Sequence, residues 1–177
     1  MKKIKFVALL LMCLPYRVFA DPGVYLGAEA GYFKFESSDN GVGVGRIFAG
    51  YGFNENISLE LGAGRTATTT YYYPGVTQNV YGYNSDISFL LRPSKSTGLN
   101  GLFVRLGGHY DLARVTYSSF YANGWAAKWG GGALIGLGYD VDLNDNFSTR
   151  ISYSYLDNVA GSNYNANEGS IGLIYKF

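Results

Sequence analysis

The chain is poor in cysteine, histidine and proline, and it has no long uninterrupted apolar run. Cys13 is the only cysteine among 177 residues. It is preceded by Met12, where a lipid-attachment signal requires a small residue, and it lies in a segment that reads as a leader. There Lys2, Lys3 and Lys5 stand before an apolar stretch from Phe6 to Leu14, and Val18-Phe19-Ala20 supplies small residues at cleavage spacing. The stretch is about half the length of a membrane-spanning helix. The sequence therefore predicts a secretory signal over 1–20, removed before Asp21, and one domain over 21–177. The mature chain has no thiol, which excludes a disulfide framework and a cysteine metal site.

Positive charge is also scarce once the leader is gone. The 14 basic residues lose Lys2, Lys3, Lys5 and Arg17, leaving fewer than the 13 acids, all of which follow residue 20. A mildly acidic chain has no basic face to follow a phosphate backbone, so no nucleic-acid partner is expected. In contrast, 25 Gly, 17 Tyr and 11 Phe make the chain rich in strand-forming aromatics and small residues.

The periodicity is that of strands. From Gly23 to Phe35, Val24, Leu26, Ala28, Ala30 and Tyr32 share one parity, and Tyr25, Gly27, Glu29, Gly31 and Phe33 share the other. The pattern recurs at Ile57, Leu59, Leu61 and Ala63 against Ser58, Glu60, Gly62 and Gly64, and at Leu102, Val104, Leu106 and Tyr110 against Phe103, Arg105, Gly107 and His109. Each segment thus has an apolar and a polar face. A soluble sandwich would bury the apolar faces against each other. The leader, the segment length of about ten residues and the aromatic ends instead favour strands whose apolar face meets lipid.

Eight such segments follow: 23–35, 42–53, 57–67, 79–92, 101–114, 125–141, 147–157 and 168–177. Asn54-Glu55-Asn56 and Leu143-Asn144-Asp145-Asn146 read as tight turns, 93–100 as a longer one, and the other connections as loops. The fold class expected is all-β, an eight-stranded antiparallel up-and-down transmembrane barrel, closed because an open edge in hydrocarbon leaves backbone groups unpaired. An even strand number puts both termini on one side, expected to be periplasmic, in a Gram-negative outer membrane with lipid and lipopolysaccharide around it. Aromatic belts are expected at Tyr51, Phe53, Tyr139, Tyr175 and Phe177 at the turn end, and at Tyr32, Tyr81, Tyr110, Trp129 and Tyr155 at the loop end.

Several stretches carry a resemblance. The terminal Phe177, preceded by Leu173 and Tyr175 on one face, resembles the C-terminal strand that outer-membrane barrels present to their assembly machinery. Val24-Tyr25-Leu26-Gly27-Ala28, Gly50-Tyr51-Gly52-Phe53-Asn54 with Leu59-Glu60-Leu61-Gly62, Phe103-Val104-Arg105-Leu106-Gly107-Gly108 and Ser148-Thr149-Arg150-Ile151-Ser152-Tyr153 together resemble the transmembrane domain of the OmpA family, with the small OmpX-like surface barrels as relatives. The resemblance implies an inward pair on the third and seventh strands, here Glu60 and Arg150. The family's alternative lysine partner on the fourth strand is replaced by Asp86 and Ser88. The peptidoglycan-binding domain that many family members carry does not follow, and cell-wall anchoring is not carried over.

By parity, Glu29, Arg46, Glu60, Asp86, Arg105, Asp111 and Arg150 point into the lumen. They form either a structural salt-bridge core or a narrow ion pathway. A hydrolase acting on lipid A or phospholipid would need a nucleophile, a base and an orienting carboxylate. His109 beside Asp111, with Ser152 and Ser154 near, is the only candidate set. The adjacent His-Ser pair of lipid-A deacylase barrels is missing, since Tyr110 follows His109, and no enzyme activity is expected. Asp140, Asp142, Asn144 and Asp145 begin like a calcium loop, but Asp145 stands where glycine is required and Ile151 where the closing Glu belongs. A polar turn accounts for them, and neither metal nor cofactor is expected. Gly41, Gly43, Gly45 and Gly130-Gly131-Gly132 complete no phosphate fingerprint and are expected to leave room for large lumen neighbours.

Function is then expected in the outer connections. Tyr71, Tyr72 and Tyr73 in the 66–79 loop, and Tyr117, Phe120 and Tyr121 in the 113–123 loop, suit recognition of host surface proteins or glycans, or packing on surrounding lipopolysaccharide. The expected role is structural and surface-interacting, with a small-solute channel as the alternative.

Overall fold

The computed structural model describes residues 23–36, 40–94, 99, 101–120 and 122–177; the leader reading over 1–20 and Tyr121 lie outside them. Nine strands are present among the described residues: β1 (Val24–Phe35), β2 (Val42–Gly52), β3 (Ile57–Thr66), β4 (Thr69–Tyr73), β5 (Val76–Leu91), β6 (Leu102–Ser119), β7 (Asn123–Asp142), β8 (Phe147–Leu156) and β9 (Ala166–Lys176). Every pairing is antiparallel between sequence neighbours, except that β3 also pairs with β5 and β1 with β9. Those two pairings close an eight-stranded barrel in which β4 is an upward continuation of β3. Closure pairs backbone groups that lipid could not satisfy.

The alternation carries through. Large apolar side chains such as Ile47, Leu61, Ile87, Ile135, Ile151, Ile171 and Leu173 stand exposed on the outer wall. Their opposite-parity neighbours Arg46, Glu60, Asp86, Arg150 and Ser170 are buried in the lumen. Apolar patches of this extent on an outer wall are a solvent mismatch in water and a match in hydrocarbon. Gly43 and Gly45 share that outer face, with open space at Gly45, so they leave no room in the lumen as the sequence pattern suggested. Two small apolar clusters bracket the polar lumen. Tyr25, Phe48 and Ile174 lie toward the turn end, and Phe33, Val44, Leu156, Val159, Ala160 and Ala166 toward the loop end.

The tight turns share one chemistry. Asn54 Oδ1 accepts from the backbone N–H of Asn56 and Ile57, both at 2.9 Å. Asn144 Oδ1 accepts from those of Asn146 at 3.0 Å and Phe147 at 2.8 Å. This is the side-chain mimicry of a turn for which Asn is favoured. In both turns the following Asn also ties the neighbouring strand, Asn56 Nδ2 donating to Arg92 O and Asn146 Nδ2 to Lys176 O. The polar turn expected around Asn144 is thus built on that side chain.

The other end departs from expectation. Residues 66–79 and 113–123 were expected to be loops, but most of their length is strand. β4 and β5 form a hairpin around Pro74-Gly75, with Gly75 at φ 76°, and β6 and β7 run on to Ser119 and Asn123. The cause is composition: Thr69, Thr70, Tyr71, Tyr72, Tyr73, Val76, Thr77, Val115, Thr116 and Tyr117 are β-branched or aromatic. Pro presets φ for the first turn position, and Gly accepts the positive φ of the second. The result is a four-stranded blade, β4-β5-β6-β7, standing beyond the ends of β1, β2, β8 and β9.

One residue is extra where β3 becomes β4. Arg65 pairs with Tyr83 and Thr69 with Val80, so Thr66, Ala67 and Thr68 oppose only two residues of β5. Thr66 Oγ1 takes the Gly82 N–H at 2.8 Å, and Ala67 N donates to Gly43 O instead. The bulge reverses the parity of the strand.

Candidate functional site

The lumen holds one connected charge network. Strands β3 and β8 are opposite each other around the cylinder. Glu60, fully buried on β3, nonetheless reaches Arg150 Nη1 at 2.7 Å. Glu60 also accepts from Arg105 Nη2 at 3.0 Å and from the Tyr25 hydroxyl at 2.9 Å, and lies 3.7 Å from Arg46. Arg46 forms a two-point contact with Asp86, at 2.8 and 2.7 Å, and bonds Glu29 at 3.1 Å. Glu29 Oε1 lies 3.9 Å from both Arg105 and Arg150, within Coulombic reach but beyond hydrogen bonding. Six of the seven charged residues placed inward by parity are therefore in one network.

Two members were not foreseen. Asp140, read above as part of a polar turn, accepts from Arg150 Nε at 2.7 Å and from Arg92 Nη2 at 3.0 Å, and Arg92 also bonds Ser58 Oγ at 2.8 Å. The parity of Gly136 and Gly138 would have placed Asp140 inward. Arg92, Arg46, Arg105 and Arg150 are then matched by Glu29, Glu60, Asp86 and Asp140, one negative charge for each positive one. The arginines also stack on inward rings, Arg150 at 4.6 Å from the Phe103 centroid and 5.0 Å from Phe48. Planar guanidinium groups suit such combined stacking and forked bonding. Glu168, also buried and inward on β9, was missed as well.

The seventh residue, Asp111, belongs to a second cluster nearer the loop end. Its Oδ2 faces His109 Nδ1 at 2.7 Å, and His109 Nε2 faces the Asp157 carbonyl at 2.8 Å. Both ring nitrogens are thus occupied, so no nitrogen is left to activate a serine. Ser152 Oγ instead pairs with Ser170 Oγ at 2.8 Å. The histidine is a latch for the β8–β9 connection, whose short 3-10 turn, Val159–Gly161, folds inward and buries Val159 and Ala160. The Asp157 carboxylate receives the Ala133 N–H. Gly130 and Gly132 make this approach possible, because a Cβ on Gly130 would stand 2.2 Å from Gly161 N, and one on Gly132 would stand 2.1 Å from Asp157 Oδ1. Gly130 and Gly132 leave room for the connection at 157–161 rather than for large lumen side chains, whereas Gly138, further along β7, leaves room for the Phe103 ring.

Above the latch, the inward faces of the upper strands enclose a small chamber of about 160 Å³, lined by residues including Phe33, Val44, Thr69, Tyr71, Val80 and Asp111. The bulge places Tyr71 there. Tyr71, Gln78, Tyr117 and Gly124 follow one another across β4, β5, β6 and β7 in a single row. The Tyr117 ring occupies the space over Gly124. Tyr72, 82% exposed, is on the blade's other face, and Phe120, 93% exposed, is at its tip. Tyr73 shares the parity of Tyr71. The far edge of β4 pairs with no strand among the described residues.

A closed antiparallel barrel with an apolar outer wall, a charge-paired lumen and a projecting blade defines a small outer-membrane β-barrel. The sequence pattern of the outer membrane protein beta-barrel domain matches residues 6–177, and the chain belongs to that family. No curated protein matches it. Among solved structures it is similar to Ail, the attachment invasion locus protein of Yersinia pestis, in complex with the heparin analogue sucrose octasulfate. That match has a TM-score of 0.63 and 14% identity over 88% of this chain and 97% of the other. It is also similar to Neisserial surface protein A (TM-score 0.55, 22% identity, 88% and 97% covered) and to CarO of Acinetobacter baumannii (0.53, 14%, 91% and 100%). At these identities the likeness is one of fold.

Proposed function

We propose that this protein is a non-enzymatic surface-interaction barrel, with both chain ends in the periplasm and the blade outside the cell, where it binds host surface proteins. The observation that carries this reading is the blade. It displays Tyr71, Tyr73 and Tyr117 on one face, Tyr72 on the other and Phe120 at the tip, and the far edge of β4 is unpaired among the described residues. Exposed rings supply contact area at low entropic cost, and an open edge accepts an extended polypeptide by strand addition. The Yersinia protein's complex with a heparin analogue makes a sulfated glycan the comparison ligand.

The same reading assigns Leu173, Tyr175 and Phe177 to docking on the barrel-assembly machinery, since all three side chains lie on the outer wall. It treats the lumen as structural, because Glu60 and its arginines bridge the cylinder.

The test replaces residues 69–80 and 115–126 by short polar turns and compares whole-cell adhesion at matched amounts of assembled barrel. Assembly should persist and adhesion to immobilised host proteins should be lost. Adhesion that survives the double replacement refutes the reading. Planar-bilayer recordings of the pure protein should show no conductance steps, and regular steps would put the small-solute channel in its place.

A further inference from the structure

Two arginines stand apart from the lumen network. Arg46, Arg92, Arg105 and Arg150 each have an ion pair, whereas no ion pair among the described residues involves Arg65 or Arg114. Both lie on the outward parity. Arg65 follows Leu61 and Ala63 along the exposed face of β3, and Arg114 lies directly across from Tyr81, on the face opposite that of Asp111.

Both are held by rings. The Arg65 guanidinium lies 5.1 Å from the Tyr81 centroid and 5.4 Å from that of Tyr83, and Tyr81 and Tyr83 meet edge to face at 5.8 Å. Arg114 lies 5.0 Å from the centroid of Trp125, and its Nε is buried with no hydrogen-bond partner. Arg65, Tyr83, Tyr81, Arg114 and Trp125 thus form one continuous patch across β3, β5, β6 and β7.

Its height can be estimated from the strands. Arg65 stands eight residues from Ile57 and Arg114 twelve from Leu102. At about 3.3 Å per residue and a tilt of about 45°, they lie roughly 19 and 28 Å above the turn end. The apolar band of such barrels is about 25 Å tall. The guanidinium groups therefore straddle the boundary between hydrocarbon and headgroups at the blade end. Arginine there is unfavourable without a counter-ion, and the described residues supply none.

We propose that this patch is a binding site for the phosphate of an outer-leaflet glycolipid headgroup. The planar forks donate paired N–H bonds to phosphate oxygens, while the rings hold the guanidinium planes and contact the upper acyl chain or sugar. The leaflet assignment rests on the orientation proposed above. The contact itself does not, since a symmetric bilayer presents lipid to both ends.

The protein has only two tryptophans, Trp125 and Trp129, so W129F leaves the patch tryptophan as the sole indole reporter. W129F protein in phosphatidylcholine nanodiscs, titrated with diphosphoryl lipid A, should show a saturable change in tryptophan fluorescence that weakens with added salt. R65Q/R114Q in the same background should weaken binding about 25-fold, since each basic side chain at an anionic lipid surface contributes roughly fivefold. R65K/R114K, which keeps charge but not the fork, should fall between the two, and it serves if the glutamine variant fails to assemble. K34Q removes an exposed outward cation over which no described ring lies, and it should bind as W129F does. Binding by R65Q/R114Q, or in its absence by R65K/R114K, within twofold of W129F overturns the proposal. So does an equal response to inorganic phosphate in pure phosphatidylcholine discs, which would mean a free-anion site. Neither result bears on the adhesion assay.

Discussion

Glu60 on β3 and Arg150 on β8 face each other across the full width of the barrel and meet at 2.7 Å, so one ion pair braces opposite walls of the cylinder. Around it the stoichiometry is even, four arginines against four carboxylates, which is the condition for keeping so many charges out of water.

Removing one partner should therefore be far costlier than removing an exposed acid. Glu60→Ala leaves Arg105 and Arg150 short of a carboxylate and should destabilise the barrel by about 3–5 kcal/mol. Glu36→Ala loses only an exposed bond to Asn165 and should cost less than about 1 kcal/mol. Urea unfolding in detergent, or the temperature at which gel mobility shifts, measures both. Equal midpoints for the two variants would show that the lumen network does not carry stability.

The His109 latch should be local in effect. His109→Ala leaves the Asp157 carbonyl without the histidine and the Asp111 carboxylate with only the Ala160 N–H at 3.4 Å, a loss of about 1–3 kcal/mol. Amide exchange over 157–165 should accelerate roughly tenfold to a hundredfold, with the β1–β2 and β8–β9 ladders unchanged. Unaltered exchange in that segment would mean that the glycine seat on β7 holds it alone.

The carboxyl terminus should matter for biogenesis rather than for the finished fold. Phe177 is 73% exposed, and its ring meets that of Tyr175 edge to face at 4.9 Å. Deleting it should lower the amount of barrel assembled in cells several-fold, yet protein refolded from urea into detergent should melt within about 1 kcal/mol of the parent. Normal assembly in cells would remove the role assigned to this residue.

The barrel was legible because its alternation is strict: Glu29, Glu60, Arg105 and Arg150 each sit between outward residues, and parity alone turned them inward. Parity was not carried far enough at Asp140 and Glu168, whose neighbours Gly138 and Ser170 mark the same face. The blade was missed for another reason. Thr, Ser and Tyr in 66–79 and 113–123 are polar enough to read as loop, and burial, the usual cue for a strand, is absent because these strands leave the membrane. The inward fold of the β8–β9 connection left a fainter trace, in Gly130 and Gly132 one turn of the pleat apart and in the apolar Val159-Ala160 amid polar residues. Only the three-dimensional pairing relates those two signs.

The extra residue within 66–68 separates two registers that are set independently, one by the barrel wall and one by the hairpin. Across Pro74-Gly75 the hairpin holds Tyr71 opposite Gln78, while below the bulge Arg65 stays opposite Tyr83. Losing one codon at Ala67 would take out the bulge and run β3 into β4 in regular register, with Tyr71 still across from Gln78. The root of the blade can therefore gain or lose a residue without exchanging the rings above it or touching the wall below.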